Sequence, residues 1–330
     1  MNASQQAMQQ LLERIQTRII GQPHVAHGII IALLANGHVL LEGLPGTAKT
    51  RAVKALANNL GARFGRVQFT PDLLPSDVTG TDIYQESREG APQLIFQPGP
   101  VFNQILLADE INRAPAKVQA ALLEAMAEGF VTVGGHSRPL PQPFIVLATQ
   151  NPIEQEGTYP LPEAQIDRFM LKICVDYPKE ADELAVIQLV RAEEIGVTSQ
   201  AGDDDAALPP IDPLLVLEAR KQIARIQVSG LVDRYLVNLV MATREPERYP
   251  DTQLAEWLEV GVSPRASIAL DRCARAAAWL NGRDHVTPDD VRTVLRPVLE
   301  HRLVLGYRAA AEGINQGQVI QTLLDHVFIG

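Results

Sequence analysis

The chain has 330 residues, of which 46% are apolar and 21% are charged, a balance that excludes a disordered or fibrous protein. Its 29 Lys and Arg residues are outnumbered by 39 Asp and Glu residues, which gives a net charge of −10. This acidic balance argues against a protein that binds nucleic-acid backbone over a broad surface, and the length suggests about two domains.

The first half of the chain alternates between strand-like and helix-like segments. Short apolar runs occur at 38–42, 66–69, 105–109, 144–148 and 171–175. Helix-like segments lie between several of these runs, including 49–60 and 114–128. Strands that alternate with helices predict a parallel sheet covered on both faces, and near-continuous apolar strands fit such burial.

A glycine-rich turn follows the first apolar run. Residues 43–50 read GLPGTAKT and open a helix-like segment, which is the strand–loop–helix context of a phosphate-binding loop. The two glycines allow a tight turn whose backbone N–H groups point at phosphate oxygens. Lys49 supplies a positive charge, and the Thr50 hydroxyl can ligate Mg²⁺. Ala48 stands where the strict pattern has glycine, and a chance glycine-rich turn is the alternative. We predict a nucleotide site formed by Gly43, Leu44, Pro45, Gly46, Thr47, Ala48, Lys49, Thr50 and Arg51.

Two later strands end in polar side chains. The run ILLADE ends in Asp109 and Glu110, and the run IVLATQNP ends near Asn151. Downstream of a phosphate-binding loop, Asp109 is expected to hold Mg²⁺ with Thr50, and Glu110 to activate water as a general base. Asn151 is placed to contact the terminal phosphate or the water, because ligands gather at the carboxyl ends of parallel strands. The simpler alternatives are a solvated strand end for the acids and a turn that starts at Asn-Pro.

The second part of the chain has a different pattern. Residues 196–213 are rich in Gly, Asp, Ala and Pro, which predicts an exposed loop. Helix-start signals follow at Asp212-Pro213, Ser263-Pro264 and Thr287-Pro288, and residues 266–280 carry a helical apolar stripe. We predict a smaller all-helical domain here.

Targeting signals are not found in the sequence. Cys174 and Cys273 lie far apart, which predicts two small buried thiols in a reducing compartment. The first twenty residues lack the apolar core of a signal peptide, and the most apolar stretch, 28–41, is shorter than a membrane span. We expect a cytoplasmic protein.

Longer motifs carry a resemblance to a known family. They are IIGQ (19–22), EGLPGTAKT (42–50), QFTPDLLPSDVTG (68–80), ADEINRAPAKVQAALLEAM (108–126), ATQNP (148–152), EAQIDRF (163–169) and SPRA (263–266). With these motifs the chain resembles the MoxR family of AAA+ ATPases, in the clade with an insert in helix 2. Alanine at position 48 also fits this family.

The resemblance implies an architecture. It is an α/β P-loop domain over residues 1–195 with a parallel five-stranded sheet of order 5-1-4-3-2, a linker at 196–213 and an α-helical lid at 214–330. The helix-2 insert would be 70–83 and the hairpin before the sensor strand 129–143. Alternating Val131 and Val133 followed by Gly134-Gly135 independently predict that hairpin.

The resemblance also implies residue roles. Asn151 would be sensor 1, Arg168 the arginine finger that reaches the nucleotide of the neighbouring subunit, and Arg265 sensor 2 on the lid. Ile20, Gly21 and Gln22 match the segment beside the adenine, and Arg113 is a further candidate for phosphate contact. From the residues alone, Arg168 could instead pair with Asp167, and Arg265 could serve structure.

The expected function is hydrolysis of MgATP, with ATP or ADP and Mg²⁺ bound at subunit interfaces of a homo-oligomeric ring, expected to be a hexamer. By resemblance it would act as a chaperone-like factor that remodels or activates a partner protein complex, with a von Willebrand factor A-domain protein as an expected partner. The alternatives are a magnesium-chelatase-type motor subunit, a nucleic-acid-associated motor or loader, and a non-hydrolysing nucleotide switch. The net charge speaks against nucleic acid, and Glu110 speaks against the switch.

Overall fold

The structure is a computed structural model that describes residues 2–44, 49–86, 92–152, 157–194 and 208–329. Its helices, α1 to α14 in chain order, are Ala3–Arg18, Pro23–Leu34, Lys49–Leu60, Pro75–Thr79, Ala116–Glu128, Glu163–Ile166, Glu180–Glu194, Leu214–Ile223, Gly230–Arg244, Leu254–Trp257, Pro264–Leu280, Pro288–Leu299, Tyr307–Glu312 and Gln316–His326. Its strands, β1 to β11, are Val39–Gly43, Phe64–Gln68, Gly80–Glu86, Pro92–Pro98, Ile105–Asp109, Phe130–Val133, His136–Pro139, Ile145–Gln150, Leu171–Val175, Leu258–Val260 and Val304–Leu305.

Five parallel strands form the central sheet, in the spatial order β2-β5-β8-β1-β9. Numbered along the chain within this sheet, the order is 2-3-4-1-5, which is the predicted order seen from the other side. Every predicted strand lies within two residues of the observed one. Because the strands are parallel, the sheet has a carboxyl edge, where all five strands end, and an amino edge, where they begin.

Both faces of the sheet are buried, as its apolar strands predict. Val39 and Leu41 of β1 belong to one apolar cluster, with α1, α2, α3 and the C-terminal helices. Leu40 points to the other face and belongs to a second cluster with α5. The period of two along the strand thus places successive side chains in different cores.

Two hairpins lie outside the central sheet. β3 and β4 pair in antiparallel fashion from Gly80↔Pro98 to Glu86↔Pro92, so the inserted structure continues beyond the 70–83 segment expected from the sequence. β6 and β7 form the hairpin expected within 129–143, and Gly134 and Gly135 make its turn with φ values of +58° and +79°. Positive φ at both central turn positions explains why glycine occupies them.

The three C-terminal helices whose starts were predicted, α8, α11 and α12, begin within two residues of those positions. Ser263 caps α11 by accepting a hydrogen bond from the Arg265 N–H (3.2 Å), and Thr287 with Asp290 forms a capping box on α12. One expectation needs correction, because this region is not entirely helical. β10 and β11 pair as a small antiparallel ladder, since the extended chain on either side of α11 and α12 meets there.

The first two helices hold the C-terminal helical region against the sheet. In α1, the Gln5 amide donates to the Trp279 carbonyl (2.5 Å), and the Gln9 amide donates to the Leu280 carbonyl (2.8 Å). From α8, the Arg220 guanidinium donates to the Leu33 carbonyl at the end of α2 (2.7 Å). No helix in the described ranges is long and apolar enough to span a bilayer.

Both cysteines carry free thiols. Cys273 is buried and Cys174 is half-buried. Desolvation raises the pKa of Cys174 to about 11 and that of Cys273 to about 12, so both thiols stay protonated at pH 7.

His38 ties three elements together at the amino edge. Its Nδ1 accepts the Val146 N–H (3.0 Å), so the ring proton sits on Nε2, which donates to the Met126 carbonyl (3.2 Å). Desolvation lowers the pKa of His38 to about 4, so the ring is neutral at pH 7.

We expect the protein to lose stability as the pH falls from about 6.5 towards 4. In that window His38 binds a proton in the unfolded chain but not in the folded one, so protonation favours unfolding. His38→Gln keeps a donor and an acceptor but does not titrate. We expect the wild type to melt at a higher temperature than His38→Gln at neutral pH, and this difference should shrink as the pH falls. The control is His136→Gln in the exposed hairpin. If melting temperature depends on pH in the same way in the wild type and in His38→Gln, then His38 is not the group responsible.

Candidate active site

The carboxyl edge of the sheet places Lys49 beside the end of β1. Its ammonium group donates to the carbonyls of Gly43 and Leu44, the latter at 3.1 Å. Thr50 and Arg51 follow in the first turn of α3. The predicted nucleotide-binding residues Pro45, Gly46, Thr47 and Ala48 lie outside the described residues. The lysine therefore lies over the start of the loop that was predicted to hold phosphate.

Asp109 ends β5 at the same edge. One carboxylate oxygen accepts a hydrogen bond from the Thr149 hydroxyl (2.6 Å), and the other pairs with the Arg66 guanidinium (2.7 Å). The side chain is 13% exposed, so few of its interactions are with solvent. These two contacts fix the direction of the carboxylate without covering it completely.

Glu110 has a strained backbone. Its φ of +56° lies in the left-handed region, which a residue with a side chain adopts at a cost of order 1 kcal/mol or more. Its N–H donates to the Thr149 hydroxyl oxygen (2.8 Å), which holds this conformation. Its carboxylate accepts from the Gln68 amide (2.8 Å) and pairs with the Arg113 guanidinium (3.1 Å). Arg113 thus lies at the carboxyl edge of its own chain.

Thr149 is a site residue that the sequence did not single out. It is 1% exposed, lies on β8 opposite Leu41 of β1, and connects Asp109 with the backbone of Glu110. The available signal was weak: a single hydroxyl within an apolar strand, two positions before Asn151. Only the pairing of β5 with β8 shows that this hydroxyl holds both acids.

The strand order brings the predicted metal and phosphate residues together. β8 lies between β1 and β5, so Asn151, which follows β8, stands between the loop after β1 and the acids after β5. The ends of β1 and β5 are two strand spacings apart, or about 10 Å. That gap suits a hydrated divalent cation between the Thr50 hydroxyl and the Asp109 carboxylate, which are hard oxygen ligands.

The segment predicted to lie beside the adenine is close to this edge. Gly21 precedes α2 with φ +76°, and the Gln22 amide donates to the Asp176 carbonyl (2.7 Å). Asp176 directly follows Val175, which pairs with Gly43. The side-chain oxygen of Gln22 is buried and finds no hydrogen-bond partner among the described residues. The amino group of an adenine is a donor that would satisfy it, so these residues fit a nucleotide.

Arg168 lies at the opposite, amino edge. It stands between α6 and β9, where the Met170 N–H donates to the His38 carbonyl just before β1 (2.9 Å). Its guanidinium donates to the Leu123 carbonyl (2.9 Å). The five residues of β1 separate this level from Gly43 by about 16 Å. Arg168 therefore does not reach the nucleotide site of its own chain.

Arg265 lies beside Arg168, and this placement was not expected from the sequence. Its guanidinium approaches the Asp167 carboxylate (3.6 Å), and both arginines line one cleft of about 330 Å³. The resemblance implied only that Arg265 would be sensor 2 on the lid. The observed docking instead puts Arg265 at the amino edge, away from Lys49.

Comparisons with known proteins show the family to which the chain belongs. The ATPase family associated with various cellular activities (AAA) matches residues 38–171, and an AAA lid domain matches residues 251–323. The chain is 45% identical to Chaperone MoxR1 of Mycobacterium tuberculosis over 97% of its length and 81% of that protein. The chain belongs to the MoxR family of AAA+ ATPases.

Two further matches support the same family. The protein YeaC of Bacillus subtilis is 42% identical over 96% of this chain and 92% of its own length. A solved structure of a candidate ATPase from Cytophaga hutchinsonii is 43% identical, with a TM-score of 0.88, and covers 99% of this chain and 96% of that chain. This MoxR-family protein is thus an ATPase that binds a nucleotide together with a divalent metal.

We expect Thr149→Val to weaken the metal site and slow hydrolysis. The change keeps the shape of the side chain but leaves the Asp109 oxygen and the Glu110 N–H without their shared partner. The metal concentration for half-maximal ATPase activity should rise about tenfold, and kcat should fall by a similar factor. Thr149→Ser, which keeps the hydroxyl, is the matched control. Equal metal dependence in the two variants would show that Thr149 only packs.

Proposed function

We propose that this chain hydrolyses MgATP at the interfaces between subunits of a homo-oligomeric ring, and that hydrolysis drives the remodelling or activation of a partner protein complex. The observation that carries the proposal is that the candidate catalytic residues lie at two opposite edges of the sheet. Lys49, Asp109 and Glu110 lie at the carboxyl edge, whereas Arg168 and Arg265 lie at the amino edge. One chain alone therefore presents two incomplete halves of a phosphoryl-transfer site.

At the carboxyl edge, each residue has a defined task. Lys49 exchanges the carbonyls of Gly43 and Leu44 for phosphate oxygens, and the Thr50 hydroxyl and the Asp109 carboxylate hold the metal ion. Mg²⁺, when bound, neutralises charge on the phosphates. Glu110 accepts the proton of the attacking water, and Asn151 orients that water. Before it can do so, the Glu110 carboxylate must loosen its contact with Gln68 or Arg113.

The arginines complete the site of a neighbouring chain. An interface that joins a carboxyl edge to an amino edge is head-to-tail, and such an interface forms a ring when its repeated rotation returns to the first subunit. Arg168 and Arg265 would then stabilise the negative charge that develops on the transferred phosphoryl group. For a MoxR-family protein we propose a hexamer, as the AAA+ resemblance implies. In this arrangement both arginines act in trans.

The remodelling role rests on the relatives and on an exposed apolar pair. A chaperone is among the proteins most similar to this chain. Tyr84 and Leu94 face each other across the β3–β4 hairpin and are 82% and 55% exposed. Apolar side chains displayed on a projecting hairpin suit contact with a partner protein. We propose a protein partner, such as a von Willebrand factor A-domain protein, and a cytoplasmic location.

We expect Glu110→Gln to bind nucleotide but not hydrolyse it. The amide keeps the shape of the side chain and its place near Gln68, but it cannot take a proton from water. Phosphate release should fall at least about 100-fold while ATP binding persists. The control is Glu124→Gln, an exposed acid on α5. Turnover by Glu110→Gln at the wild-type rate would exclude Glu110 as the base.

We expect mixtures of two inactive variants to recover activity. Lys49→Ala damages the carboxyl edge and Arg168→Ala the amino edge, and each alone should lower kcat on the order of 10³-fold. In mixed rings a Lys49→Ala subunit offers an intact arginine to the intact nucleotide site of its neighbour. Arg265→Ala should behave in the same way, whereas the exposed Arg248→Ala should stay active throughout.

Verified mixed assemblies without recovery would exclude action in trans. Recovery for Arg168→Ala but not for Arg265→Ala would mean that the lid arginine serves its own chain.

A further inference from the structure

Arg302 makes an unusual contact between the lid and the catalytic domain. It follows α12, and its side chain is 3% exposed. The guanidinium donates to four acceptors in the segment 167–170: the Asp167 carboxylate (2.8 Å) and the carbonyls of Asp167 (3.1 Å), Phe169 (2.6 Å) and Met170 (3.2 Å). A further bond goes to the Val298 carbonyl in its own helix. We call the segment 167–170 the finger loop, because it carries Arg168.

The finger loop is also tied to the lid arginine. Asp167 gives one carboxylate oxygen to Arg302 and the other to the Ser263 hydroxyl (2.9 Å) and to Arg265 (3.6 Å). His301 adds a hydrogen bond to the Phe169 carbonyl (3.0 Å). Asp167 is therefore a common partner of the buried Arg302 and of Arg265 in the cleft.

Burial of the Arg302 guanidinium costs free energy, and what the contact provides in return is a fixed orientation. Removing a guanidinium from water is repaid only when nearly all of its donors find acceptors, and burial lowers the pKa of Arg302 even though Asp167 opposes that change. Apolar side chains would hold the lid to the sheet at least as firmly. A planar fork with several fixed acceptors instead sets one angle between two bodies.

We propose that Arg302 is a positioning residue for catalysis: it locks the lid onto the finger loop, so that Arg168 and Arg265 meet the nucleotide of the neighbouring chain as one rigid pair. This proposal rests on the proposed action of the arginines in trans. It adds that the lid and the finger loop of one chain move together, and that movement of the lid reaches the adjacent nucleotide site without a hinge at this contact.

The test uses Arg302→Lys and Arg302→Gln in the full-length protein. Lysine keeps the charge but cannot supply the fork of donors, and glutamine removes the charge. After assembly has been verified, kcat should fall about tenfold or more in both, with the KM for ATP within about twofold of wild type. The KM should hold because the carboxyl edge of each variant is intact.

Mixing separates positioning from a loss of fold. Either Arg302 variant mixed with Lys49→Ala should recover activity, as expected for Arg168→Ala. The triple variant Arg168→Ala/Arg265→Ala/Arg302→Lys should be no slower than Arg168→Ala/Arg265→Ala, because Arg302 is proposed to act only through those two arginines. If an Arg302 variant does not fold, Asp167→Asn keeps the shape of the partner side chain and reports on the same contact through the same measurements.

The matched control is Asp290→Asn. Asp290 is a buried acid paired with Arg283 inside the lid, away from the finger loop. This variant should have a lower melting temperature than the wild type but the same kcat.

An unchanged kcat in the assembled Arg302 variants would overturn the positioning role. So would a loss that Lys49→Ala does not rescue, or an Arg302→Lys change that slows the Arg168→Ala/Arg265→Ala variant further. If the Arg168→Ala and Lys49→Ala mixture itself fails to recover, the proposed interface has failed instead.

Discussion

The parallel sheet is the constraint on which the rest of the protein depends. Because all five strands run the same way, the groups predicted to hold phosphate, metal and water gather at one edge. Arg168 and Arg265 are at the other edge, about 16 Å away along β1. In the proposed assembly, a second copy of the chain brings these arginines to the nucleotide.

At the carboxyl edge, one small network sets the positions of both acids. The Thr149 hydroxyl donates to Asp109 and accepts from the backbone of Glu110, while Gln68 and Arg113 hold the Glu110 carboxylate. The two Thr149 bonds pre-organise the Asp109 carboxylate and the Glu110 backbone, whereas the proposed role of Glu110 as a base requires its carboxylate to loosen the contact with Gln68 or Arg113. The left-handed backbone of Glu110 is tolerated because the network holds it.

At the amino edge, the docking of the lid decides what its arginine can do. Hydrogen bonds from α1 and α2 hold the helical region against the sheet, and Arg302 joins it to the finger loop. The lid and the catalytic domain contact each other through the ion pair and hydrogen bonds of Asp167 as well as through apolar side chains. In the proposed ring, this contact would pass a change in one chain to the nucleotide site of the next.

The sequence by itself determined the central strands within two residues, the starts of several helices, and the placement of Lys49 and the acid pair after apolar strands, because these depend on local spacing and on the period of apolar residues. It could not reveal that Thr149 contacts both acids, because Thr149 lies on β8, which is distant from β5 along the chain and pairs with it only in the folded protein. The edge on which Arg265 lies, and the partners of Arg302, also needed the tertiary structure. Those contacts join positions about a hundred residues or more apart, and one buried arginine leaves no periodic signal in a sequence.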